Sequence, residues 1–180
     1  LAAFTTWNFE LEIADLDRGV YASEKVSVAQ HPSETTERLV VRVLAYALEW
    51  TEGIRFGADI STGEAPAVWV HDLTQRLDCW VDVGAPAPER VHRATKAAPR
   101  VVIYTWQEQP RWWADLRSFK IFSPERLTIV ALSEPLVAGL AAHLERRNRW
   151  SVSRTEGILY VEANGARFEG TAAATGLGRA

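Results

Sequence analysis

With 180 residues, of which 47% are hydrophobic and 24% charged, the chain has the length and apolar content for a sizeable globular core. A formal net charge of −3 supplies no global basic field, which argues against strong nonspecific nucleic-acid binding while leaving room for a local basic patch. A single cysteine, Cys79, excludes an internal disulfide, no apolar run approaches the roughly 20 residues that span a bilayer, and residues 1–6 lack the features of a secretion signal. The expectation is a cytoplasmic protein without membrane contact.

The first segment alternates, with Trp7, Phe9, Leu11 and Ile13 on one face, then breaks at residues 15–19 before a second alternating run over 20–29. This predicts an opening antiparallel strand pair. Ser33 then reads as the N-cap of a helix running to about Trp50, with Glu34 and Glu37 near the positive end of its dipole. Val40, Val43, Leu44 and Ala47 make its apolar stripe, Glu37 lies at the stripe's edge, and Arg38 points away. Residues 51–66 are polar and glycine-bearing and read as a connection with a short helical turn.

Residues 69–84, WVHDLTQRLDCWVDVG, predict a β-hairpin. Alternation sets Leu77, Cys79, Val81 and Val83 against Asp78, Trp80 and Asp82. Cys79 reads as a small core hydrophobe. Gly84, Pro86 and Pro88 lead into a short helix over about 89–98 that carries Arg90, His92, Arg93 and Lys96. The near-continuous apolar run VVIYTW predicts a strand buried on both faces. A tryptophan-rich helix near 110–119, a strand near 127–132 and a helix over about 134–147 follow. Asn164-Gly165 between ILYVE and ARFEG marks a closing hairpin. Residues 1–170 are expected to form one domain, and residues 171–180, small and glycine-bearing, a flexible tail.

Asp72 and Asp82 stand ten residues apart, on the two arms of the hairpin. Asp82 is flanked by strong strand formers, where an ionised carboxylate is costly unless a cation meets it. With Glu37 or Glu34 from the preceding helix, these aspartates form a candidate three-carboxylate site for Mg²⁺ or Mn²⁺, and such sites hydrolyse phosphodiesters through a metal-bound water. The competing reading of Asp72 is turn chemistry. For Asp82 it is a structural cap, and for the glutamates dipole partners.

HPSETTERLVVRVLAYAL at 31–48, the 69–84 segment and VVIYTW at 101–106 together resemble the YaeQ family of bacterial proteins, over roughly residues 4–165. The resemblance implies a mixed α/β fold, a variant of the PD-(D/E)XK nucleases. Its restriction-endonuclease-like core runs helix-strand-strand-helix-strand, between an N-terminal strand pair and a C-terminal hairpin. It further implies Asp72 as the first aspartate, Asp82 as the acidic member of the D/E-X-K triplet, and Glu37 or Glu34 as the helix glutamate. The triplet here reads Asp82-Val83-Gly84, without its lysine. Lys96 can supply the charge from the following helix, as can Arg90 or Arg93. Ala65-Pro66-Ala67 also lacks the acidic residue that the family pattern places beside the proline, which implies weaker metal binding. Two functions follow as expectations: a metal-dependent nuclease using Asp72, Asp82 and Lys96 on DNA or RNA, or a catalytically degenerate module that binds nucleic acid or a transcription or repair protein.

Overall fold

The computed structural model describes residues 3–57 and 63–177. Among these, ten strands and four α-helices give a mixed α/β architecture. They fall into two compact units, one built from residues up to Trp50 with Leu132–Ala172, the other from Thr51–Ala131 with the residues from Ala173 on.

The first unit opens with the expected strand pair, β1 (Thr5–Asp15) and β2 (Val20–Gln30), antiparallel with Trp7 opposite Val28 and Ile13 opposite Ala22. Strand β8 (Arg147–Thr155) lies parallel to β1 on its other side and pairs antiparallel with β9 (Ile158–Ala163). The Asn164-Gly165 turn then leads into β10 (Ala166–Gly176), antiparallel to β9. Phe9, Leu11, Ile13, Trp150, Val152, Leu159 and Val161 are buried on one face of this sheet. Helix α1 (Thr36–Leu48) packs on β1, β8 and α4 (Glu134–Ala142). The approach of α4 to β10 is close: a Cβ at Gly139 would lie 2.8 Å from the Phe168 ring.

Several expectations change here. The N-cap of α1 is Thr35, whose hydroxyl accepts from the Arg38 N–H at 3.2 Å, because the Ser33 hydroxyl is engaged by His31 Nδ1 at 2.6 Å. Every residue from Leu39 to Leu48 is buried, Arg42 included, so the helix is enclosed all round and not only along a stripe. The helix expected over 134–147 stops at Ala142, and β8 takes over with Asn148, Trp150 and Val152 inward at period two. Regular strand continues to Gly176, through most of the segment expected as a tail. Backbone ladder bonds hold its first part, such as Ala172 N–H to Gly157 O at 2.8 Å, and these need no apolar bulk. Residues 178–180 of that tail lie outside the described residues.

In the second unit, β3 (Ile54–Phe56) pairs antiparallel with β4 (Val68–His71), within the segment expected as an irregular connection. Residues 58–62 of that connection lie outside the described residues. Strand β4 pairs with β5 (Leu77–Val83) as the predicted hairpin, and β5 runs parallel to β6 (Arg100–Thr105), itself parallel to β7 (Leu127–Leu132). As the apolar run requires, β6 is central and buried on both faces. Helices α2 (Pro88–Ala97) and α3 (Pro110–Ser118) cover one face. Val91, Ala94, Trp112 and Leu116 from the helices meet Val101, Ile103 and Ile129 from the strands, and Leu177 packs against the same cluster.

Candidate functional site

Asp82 is the next-to-last residue of β5, opposite Ile103 of β6 and on the same strand face as Trp80. That face looks toward α2, so Asp82 meets the first turn of the helix. The carboxylate is buried and both of its oxygens are taken by one side chain: Arg90 Nε donates to Oδ2 at 2.7 Å and Nη2 to Oδ1 at 2.9 Å. The same guanidinium donates to the carbonyls of Gly63 and Ala65, the latter at 2.8 Å, and lies 5.3 Å from the centre of the Trp80 ring. Arg90 is therefore a clamp that neutralises Asp82 and fastens the 63–65 segment to β5. A two-point pair of this kind is among the stronger hydrogen-bonded arrangements open to a buried carboxylate, and its loss would leave an uncompensated charge.

Of the three cations that the sequence offers for this role, the structure brings Arg90 to Asp82. Lys96 is exposed in the last turn of α2, six residues further on, which turns it about 120° around the helix from Arg90. Arg93 is exposed as well. Gly84, at the lysine position of the triplet, has φ +97°, and its N–H donates to Tyr104 O at 2.8 Å. A lysine there would have to hold a left-handed backbone conformation that only glycine adopts without strain.

Asp72 follows the turn reading. Its Oδ1 accepts from Thr74 N–H at 2.8 Å, Thr74 Oγ1 at 2.7 Å and Arg76 N–H at 3.0 Å, which closes the hairpin around Gln75, at φ +65°. The Thr74 hydroxyl, followed by the backbone N–H groups, holds the Asp72 carboxyl below its ordinary pKa. It is exposed to solvent at the hairpin end.

The glutamates belong to the first unit. Glu34 precedes α1 and is buried, with Oε1 accepting from Arg42 Nε and Arg38 Nη1 at 2.7 Å each and Oε2 from Arg42 Nη2 at 2.8 Å. Arg38 thus reaches back one turn to Glu34, away from the apolar stripe. Arg42 also donates to Ala29 O at 2.8 Å, so the triad ties α1 to β2. The sequence reading missed Arg42, although a lone arginine inside LVVRVLA can be stable there only with a buried acid beside it. Glu37 is half-buried in the first turn of α1.

A divalent cation needs several carboxylate or carbonyl oxygens converging at about 2.1 Å for Mg²⁺. Among the described residues no group of three or more His, Cys, Asp or Glu side chains is placed to hold one. Both Asp82 oxygens face a guanidinium, and Asp72 Oδ1 is committed to its turn. As arranged, these residues do not fit a Mg²⁺ or Mn²⁺ site.

The profile of the YaeQ protein family matches residues 2–172. The chain belongs to the YaeQ family. It is 32% identical to the YaeQ protein of Pseudomonas syringae, whose crystal structure superposes with a TM-score of 0.87 over 95% of each chain. It is 31% identical to the YaeQ protein from Xanthomonas axonopodis pv. citri, also at 0.87, over 96% of this chain and 98% of that one. An uncharacterised YaeQ protein of Escherichia coli K12 is 25% identical over 87% of both chains. Among the described residues no helix is long and apolar enough to cross a membrane.

Proposed function

We propose that this YaeQ protein is a nucleic-acid-binding module on a restriction-endonuclease-like scaffold that does not hydrolyse phosphodiesters. The observation that carries the non-hydrolytic part of the reading is the two-point contact of Arg90 with Asp82; the nucleic-acid part rests on the resemblance to PD-(D/E)XK nucleases. A metal-dependent nuclease needs the carboxylate at the strand end free to ligate a cation, which activates water and clamps the phosphate. Here a fixed positive charge occupies the reach of both oxygens, and two backbone carbonyls hold it in place. Gly84 in place of the triplet lysine removes a further charge from the reacting centre.

The hydrolytic alternative draws on one observation, the position of Asp82 near the end of a strand that runs parallel to its neighbour and leads into a helix. It requires Arg90 to leave and Mg²⁺ or Mn²⁺ to enter beside Asp82, with Asp72, Glu37 or Glu34 completing the shell and Lys96 assisting. The two readings part on incubation of the protein with Mg²⁺ or Mn²⁺ and a panel of single- and double-stranded DNA and RNA. No cleavage above the metal-only background is expected. Cleavage that Asp82→Asn abolishes would contradict the proposal.

A further inference from the structure

The β-sheet of the first unit turns one face to α1 and α4 and the other outward. That outward face is ordered in rows across the strands. At one end Ser27, Asn8 and Arg147 are in register, followed by Lys25, Glu10 and Arg149. These two rows line a groove of about 540 Å³. They carry three cations and one carboxylate. Lys25 is 84% exposed and Arg149 82%. Glu10 is shared between them, at 4.0 Å from Lys25 and 3.3 Å from Arg149, exposed contacts that solvent and salt weaken. Arg147 has no ion-pair partner among the described residues. The positive charge of this groove is therefore open to an incoming anion.

The base of the groove is fixed in advance. Asn148, buried beside the two arginines, accepts from Glu145 N–H at 2.9 Å and from Asn164 Nδ2 at 3.1 Å. The Asn164 Oδ1 in turn accepts the Arg149 backbone N–H at 2.8 Å. This bracket holds the β8 backbone, so ligand binding does not have to order it.

Further along the same face, Tyr21, Ala14, Ser153 and Tyr160 form another row across four neighbouring strands. The tyrosines are 68% and 46% exposed, and the residues between them are small. Tyr160 also lines a second groove, of about 390 Å³, with Ser153 and Arg167. From Arg147 to Ser153 along β8 the strip measures about 20 Å.

Cations at one end and solvent-facing aromatic rings at the other, on a rigid sheet, match the two needs of an unpaired polynucleotide: phosphates to neutralise and base faces to stack. We infer that this outward face is a binding site for single-stranded nucleic acid, with its phosphates at Arg147, Arg149 and Lys25 and its bases on Tyr160 and Tyr21. Beyond the groove the same face carries Glu12, Glu162 and Glu169, with Arg167 paired to Glu162. These carboxylates repel phosphates and acidic side chains alike and confine anionic contact to the Arg147 end; the exposed rings of Tyr21 and Tyr160 favour the polynucleotide, whose planar bases can stack on them.

The inference rests on the reading of the protein as a nucleic-acid binder, and the test separates the two. Fluorescence anisotropy with labelled oligo-dT and oligo-U of about 12 nucleotides, within the range of single-strand site sizes, would be run in EDTA at low salt. The intact chain is expected to bind, with a log–log salt slope of about −2 for three phosphate contacts. The Arg147→Glu/Arg149→Glu variant should bind at least about tenfold more weakly with an unchanged thermal midpoint, with Lys25→Glu as a second probe of the same groove. Tyr160→Ala should lose about fivefold or more. The ratio of RNA to DNA affinity identifies the source of the strand. Wild-type affinity in all these variants would overturn the site while leaving nucleic-acid binding intact, whereas failure of the intact chain to bind either strand would overturn both. Equal binding of poly-glutamate, lost in the same variants, would overturn the nucleic-acid assignment in favour of acidic proteins. Cleavage of the bound strand on adding Mn²⁺ would overturn the non-hydrolytic reading, and its loss in Arg147→Glu/Arg149→Glu would support the docking face.

Discussion

The charges around Asp82 and those on the outward face of the first unit's sheet behave in opposite ways. Asp82 is buried and both of its oxygens meet Arg90, so the pair presents no net charge and no free ligand. In the groove at one end of the sheet face, Lys25, Arg147 and Arg149 outnumber their one carboxylate and stand in solvent. Burial forces an ionised group to find its partner within the fold, whereas an exposed cation needs none, because water solvates it. A buried acid in a strand therefore marks an internal arginine as readily as a metal, and capacity for an external ligand is to be sought where charge is left unpaired.

The largest effects should come from breaking the internal pairs. Arg42→Met leaves Glu34 buried with only Arg38, and should cost about 4 kcal/mol of stability. For a chain of this size that lowers the thermal midpoint by roughly 10 °C. Arg90→Met strands Asp82 and should cost about 3 kcal/mol, with much of the loss recovered when Asp82→Asn is added, since the charge left behind is then removed. Equal stability of the single and double variants in urea denaturation would show that the clamp acts through packing on Trp80 and not through charge.

A third test uses pH. Asp15 is buried at the end of β1. Burial pushes its carboxyl up, but the hydrogen bonds and charge of Arg154 and Arg18 outweigh that and hold it below the ordinary value. A carboxyl whose pKa is lower in the folded than in the unfolded state stabilises fully above the unfolded value, about 4, and the contribution fades as pH falls through the folded value. The urea midpoint should decline below about pH 4, and Asp15→Asn should flatten that acid limb. The smallest effect is expected on the sheet face, where Arg147→Ala and Arg149→Ala should each move stability by less than about 0.5 kcal/mol. A larger loss would mean that these cations are structural.

Much of the scaffold was legible because it rests on local rules. The hairpin, the central β6, the Asn164-Gly165 turn and the opening strand pair all follow from periodicity and turn chemistry. Strand β8 was obscured because the helical pattern from Glu134 ran into Leu144–Arg147 without a strong stop signal, although Asn148, Trp150 and Val152 already alternate. The segment after Gly170 looked too poor in apolar bulk to be ordered, but ladder bonds hold it in part, and composition does not report them. At the candidate site, position was legible and partnership was not. Asp82 and Arg90 are eight residues apart across a strand end and a helix start, and the choice among Arg90, Arg93 and Lys96 depends on the helix phase set by Pro88. Asp72 obeyed turn chemistry, and the pairing of Glu34 with Arg42 needed the burial of the whole of α1.

The account turns on whether Asp82 is closed to metal. Titration of Mn²⁺ into the protein, followed by electron paramagnetic resonance of the free ion, should show the same weak, nonspecific uptake in the native chain and in Asp82→Asn. A stoichiometric Mn²⁺ site in the native chain that disappears in Asp82→Asn would contradict the account, because it would mean that Arg90 yields its place to a cation.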